Sequence, residues 1–297
     1  MFRLRIERID ILTAYFFGIL AGIFAGFVGI GYRIGSKGKV FPIQTALLLD
    51  AIGIVLFSWL GKWQYDMPLG GWGAGIVSGL TQYAAIRLLR MALQKGPLSP
   101  AWCAVGLAFV PVLVYCWFFC GEKPTVCQIF SVIATVGAIV AASIGNGKAA
   151  GGGHKLESKE AGIFYGILLV VIMLFVGISS YFLNIAATLL DAFGNQIMAV
   201  TYLFMLLPTV LDLSLSKTWQ INRYFWLGGI FTAVGGIGAF GIQLLIMNAP
   251  AVVVFALPGV TSLLFVSLTS VFVFREIRTY YWYATVILAV AAILLNR

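Results

Sequence analysis

Ten stretches of this chain, each about twenty residues long and almost free of charge, leave it only one solvent in which to fold. They lie near residues 11–31, 42–60, 71–92, 97–119, 125–145, 161–182, 186–208, 225–247, 250–273 and 279–295. A bilayer core of roughly 30 Å offers no water to backbone N–H and C=O groups, so a crossing segment must pair them internally, as a helix of about 20 residues does. Of the 297 residues 61% are hydrophobic, while Lys and Arg number 19 and Asp and Glu 10, a balance no soluble core of this size needs. The expected fold is an all-α integral membrane protein with ten transmembrane helices. The net charge of +9 is scattered between apolar runs rather than gathered into a tract, which argues against nucleic acid and for a lipid bilayer as partner. The first run follows Met1 to Asp10 as a signal peptide's would, but its length and the nine runs after it read as a first membrane helix.

The longest polar interruption, Asn146 to Glu160, holds Gly151 to Gly153 and falls near the midpoint. It divides the chain into five runs (1–147), a Gly-rich linker (148–160) and five more runs (161–297). The halves resemble one another. At an offset of 154, Trp72 falls on Trp226, Gly75 on Gly229, Ala85 on Ala239, Val112 on Val266, Glu122 on Glu276 and Thr125 on Thr279. In the first helix of each half the offset is 148, and Phe27-Val28-Gly29-Ile30 meets Phe175-Val176-Gly177-Ile178. Five spans per half make the second half enter the membrane from the opposite face, so the repeats are expected to be inverted. Such repeats place a binding site near the midplane between them, and rocking around it gives alternating access.

Met91-Ala92-Leu93 through Pro97, Leu98 and Ser99, then Val110-Pro111-Val112, then Gly121-Glu122-Lys123-Pro124-Thr125, together resemble the drug/metabolite transporter superfamily of EamA type. In that superfamily the pattern spans the end of the third helix, the fourth helix, the Gly-Glu turn and the fifth helix. Arg275-Glu276 with Thr279 occupies the same place in the second half, although Arg275 and Arg278 replace a Gly and a Pro, and Phe265 replaces a Pro of the ninth helix. The resemblance implies a ten-helix carrier of small metabolites, proton-coupled or exchanging, with a central cavity lined by the first, third and fourth helices of each half. It does not imply a substrate.

Ionisable groups within a membrane are costly and functional by default. Asp50 lies eight residues into the second run, about 12 Å deep. Arg87 and Arg90, near the end of the third, sit at similar depth, and a pairing of Asp50 with either would relieve both charges, for structure or for coupling. Tyr83, Arg87, Arg90 and Gln94 share one helix face, which toward a cavity would favour a carboxylate or phosphate and toward headgroups would only anchor. Asp191 stands in Leu189-Leu190-Asp191-Ala192-Phe193-Gly194, which repeats five of the six residues of Leu48 to Gly53 around Asp50. It reads either as a second coupling carboxylate or as a helix cap. Trp102, early in the fourth run, is the aromatic cavity candidate.

Gly18, Gly22 and Gly26, and likewise Gly71, Gly75 and Gly79, form small-residue ridges for close helix approach. Cys103, Cys116, Cys120 and Cys127 lack a further ligand for a metal, and the single histidine, His154, stands in the linker. Neither a metal, a cofactor nor a catalytic constellation is expected, which argues against an intramembrane enzyme. Thirteen Lys and Arg fall on the linker's face and six on that of the termini, out of 19, which places both termini outside, whereas the superfamily's habit places them inside. The expected function is secondary transport of a small solute, amino-acid-like or drug-like, in the cell (inner) membrane. The alternatives are sugar or organic-anion uptake, which the sign of substrate charge against Arg87→Ala would separate, and a non-transporting scaffold or lipid-handling protein.

Overall fold

The computed structural model describes residues 10–95, 104–119, 121–149, 159–190, 193–216, 219–247, 249–273 and 280–295. The described residues form ten α-helices: α1 Ile11–Lys37, α2 Pro42–Leu60, α3 Leu69–Lys95, α4 Phe109–Phe119, α5 Val126–Ala149, α6 Lys159–Leu189, α7 Gly194–Ser216, α8 Arg223–Leu245, α9 Leu257–Phe272 and α10 Tyr280–Leu295. A single π-helical turn, Val252–Ala256, leads into α9. Among the described residues, six segments are long and apolar enough to cross a membrane: α1, α2, Ile163–Leu183 of α6, α7, α8 and Val252–Phe272.

Local chemistry sets several of the helix starts. Pro42 opens α2, where its fixed φ suits the first turn and its missing N–H is not needed. The Gln44 side chain reaches back to accept the Phe41 N–H at 2.9 Å. Asn222 caps α8, its Oδ1 accepting from Tyr224 N–H at 2.9 Å and Phe225 N–H at 3.1 Å.

The seventh span differs from the expectation. Hydropathy ends it at Pro208, whereas α7 begins at Gly194, carries Pro208 inside and runs on to Ser216. Neighbouring helices can satisfy the backbone a proline frees within a membrane bundle, so proline is no stop signal there. Correspondingly α6 extends to Leu189, past the expected end near residue 182.

Helix packing joins the two halves. α1 packs on α8 and α9, α6 on α3 and α4, α2 on α7 and α8, α3 on α7, and α5 on α10. Advancing each helix number by five carries every one of these pairings onto another, or onto itself. Glycine makes the closest of them possible. A Cβ on Gly31 would lie 2.5 Å from the Gly228 carbonyl oxygen and against the Thr232 hydroxyl, and one on Gly22 would lie 2.5 Å from the Thr261 Cβ. Gly75 and Gly79 likewise receive Val200 and the Thr201 carbonyl of α7. Both sequence ridges therefore serve close packing between the halves. In lipid this contact supplies the association that water would otherwise drive.

Two contacts mark opposite ends of the bundle. At one, the Asn222 amide donates to the Gly38 carbonyl at 3.2 Å, joining the α1–α2 turn to the start of α8. At the other, Glu122 in the α4–α5 turn accepts the Ala251 N–H at 3.1 Å, at the entry to α9.

Candidate functional site

Asp50 stands on α2, in the helix surface that packs against α7 and α8. The residue is 0% exposed, and neither carboxylate oxygen has a hydrogen-bond partner among the described residues. One turn along α2, Gly53 lies directly under the Tyr202 ring of α7, with 2.7 Å between an added Cβ and the ring. The Tyr202 hydroxyl is also buried without a partner among the described residues. The Asp50 carboxyl lies within electrostatic reach of the phenols of Tyr202 and of Tyr32 on α1, so three ionisable groups from three helices and both halves surround one point.

Tyr202 links this point to a cleft. It stacks on Phe57 at 5.7 Å between centroids and meets Phe240 of α8 edge-on at 6.4 Å. Phe240 is also a wall of the cleft, a small cavity of about 20 Å³ with room for a water molecule in this conformation, lined by Ser180, Met198, Gln243 and Phe255 among others. The lining comes from α6, α7, α8 and the π turn, and none of the described lining residues is charged. Gln243 donates to the Val254 carbonyl of the π turn at 3.3 Å. Single π turns recur at binding sites, because they redirect backbone carbonyls away from the α-helical ladder.

The expected pairing of Asp50 with Arg87 or Arg90 is not what the structure contains. Arg87 approaches Asp212 of α7, with Nη2 to Oδ1 at 3.9 Å. Tyr83 lies within hydrogen-bonding reach of Arg87 and feels the charge of Asp212. The Arg90 guanidinium rests 4.8 Å over the Phe41 ring. The physical reason is angular: Asp50 turns toward α7 and Tyr202, whereas Arg87 emerges on a more open face, its side chain 55% exposed. Asp212 escaped the sequence reading because the seventh span had been ended at Pro208. Tyr202 and Gln243 carried no signal beyond an apolar helix. Trp102 and Asp191 lie outside the described residues.

A solved crystal structure, described only as that of a protein, superposes with a TM-score of 0.73 over 96% of this chain and 96% of its own, at 15% identity. At that identity the likeness concerns the fold alone. No curated protein matches the sequence. Residues 12–144 match the model of the EamA-like transporter family. With an apolar helical bundle around it and the Gly-Glu turn of Gly121-Glu122 inside that match, the chain is a multi-pass membrane protein whose residues 12–144 are similar to the EamA-like transporter family of the drug/metabolite transporter superfamily.

Proposed function

We propose that this protein is a secondary active carrier that moves a small metabolite by alternating access, its ten helices forming two inverted five-helix repeats. The observation that carries the reading is the set of principal helix pairings between the halves, which map onto one another when every helix number advances by five, although lesser contacts such as α9 on α10 have no comparable counterpart. A two-fold relation between halves is what such a pattern requires, and the internal matches at Trp72 and Trp226, and at Glu122 and Glu276, agree with it. In this conformation the end of the bundle near the linker is closed. Gly31 against Gly228, Asn222 against Gly38 and Arg87 against Asp212 all bridge the halves there. The cleft beside Gln243 and Phe255 lies toward the opposite end.

The described walls of the cleft are neutral, so Ser180 and Gln243 are the polar groups that a neutral or zwitterionic amphipathic solute would meet once the cleft opens beyond its present room for a water molecule. Arg87, already partnered by Asp212, would attract an anion only by exchanging one carboxylate for another. Asp50 is the candidate coupling group, and Trp102 and Asp191 remain candidates for cavity and second half.

Reconstitution with labelled amino acids, sugars, phosphate esters and carboxylates tests the reading through counterflow. Saturable uptake of at least one class, stimulated by unlabelled solute inside, is expected. Uptake equal to that of protein-free vesicles for every class counts against it. Topology is tested separately: a membrane-impermeant maleimide should reach Lys39→Cys and Asn195→Cys from opposite faces. Labelling from the same face contradicts inverted repeats.

A further inference from the structure

We propose that Asp50 is a proton-binding site, occupied in this conformation, and that its proton holds the interface between the halves closed. The proposal deepens the carrier reading by naming its coupling ion. Asp50 is fully buried and its two oxygens meet no donor among the described residues. A carboxylate so placed would be a bare charge in an apolar interface, the costliest state a side chain can adopt; adding a proton to one oxygen removes the charge without breaking any bond. The groups facing it are Tyr32 from α1 and Tyr202 from α7, and no cation among the described residues acts on it from α8 or elsewhere. Both phenols are neutral neighbours whose oxygens have lone pairs of the kind an acid O–H can donate to.

The geometry also supplies a route. The Tyr202 ring covers Gly53, one turn along α2 from Asp50, and meets Phe240, which borders the cleft. Separation of α2 from α7 would swing Tyr202 off Gly53 and admit water to the carboxyl, which then releases its proton to that water. Return to the closed packing requires the proton again. Binding on one side and release on the other is the linkage a proton-driven carrier needs.

Infrared spectroscopy of the full chain in an ester-free detergent at neutral pH reads the site directly. A buried protonated carboxyl has a C=O stretch above the amide bands that shifts down in deuterated buffer. The wild type should show it, Asp212→Asn should retain it, and Asp50→Asn should lose it. A wild type without the band, or a band that survives Asp50→Asn, overturns the proposal. Should Asp50→Asn fail to fold, Asp50→Glu keeps a carboxyl one methylene farther out. The band should then move, and an unmoved band overturns the assignment. No solute enters this measurement. A chain with the band but no counterflow keeps the proton site and loses the carrier reading; counterflow without the band does the reverse.

Discussion

Glu122 and Ala251, 129 residues apart, meet in one hydrogen bond: the Glu122 carboxylate accepts the Ala251 backbone N–H at 3.1 Å. The acceptor sits at the entry to the π turn and α9, where unsatisfied N–H groups and the helix dipole both favour a negative charge. The Glu of the Gly-Glu turn therefore caps a helix in the other half of the chain. Glu122→Ala should lower stability by about 0.5–2 kcal/mol. Glu122→Gln, which retains a carbonyl acceptor, should lose less. Thermal unfolding in detergent measures both against the exposed neighbour Lys123→Ala, and equality of Glu122→Ala with that control would remove the cap from the account.

The crossing of α1 and α8 should tolerate no side chain. Gly31→Val places branched carbons into the Gly228 carbonyl and the Thr232 hydroxyl, and overpacking of this kind costs about 1–3 kcal/mol. Gly73→Ala, where an added Cβ meets nothing within 4 Å, should unfold at the wild-type temperature. Equal melting of the two variants would mean the helices are not in contact there.

Arg87 and Asp212 should matter more for transport than for stability. With the arginine side chain 55% exposed and 3.9 Å from its partner, the pair is worth under about 1 kcal/mol. Arg87→Asp alone should slow counterflow several-fold by repulsion at the closing interface, with little change in melting. The swap Arg87→Asp with Asp212→Arg should restore most of the rate. Failure of the swap to recover flux would show that the residues act separately.

Tyr202→Phe removes a buried hydroxyl that has no partner among the described residues while preserving the ring stacked on Phe57. Stability should stay level or rise by up to about 1 kcal/mol. A loss larger than that would reveal a hydrogen bond the packing does not display.

Much of this bundle was legible before any coordinates. The apolar runs announced the helices, because lipid leaves the backbone no alternative, and the ridge glycines Gly22, Gly26, Gly75 and Gly79 sit where helices cross closely, although the close approach at Gly31 was not marked by any ridge. Glycine at helical spacing has few uses inside a membrane other than packing, so its signal survives translation from one dimension to three. Asp50 was legible for the same reason: a carboxylate eight residues into an apolar run must be buried or partnered. Its neighbours were not. Whether Asp50 faces Arg87 on α3 or Tyr202 on α7 depends on how far α2 rotates within the bundle, and no local pattern records that angle. Asp212 was hidden because the apolar run of the seventh span ends near residue 208, whereas α7 carries on to Ser216.

Alternating access is most directly measured at Ser180, which lines the cleft. In a background with the four native cysteines replaced, Ser180→Cys in sealed vesicles is exposed to an impermeant maleimide from one face and then from the other. The carrier account predicts labelling from both faces, with each accessibility falling as the other rises when pH is changed. Labelling from a single face at every pH would contradict it.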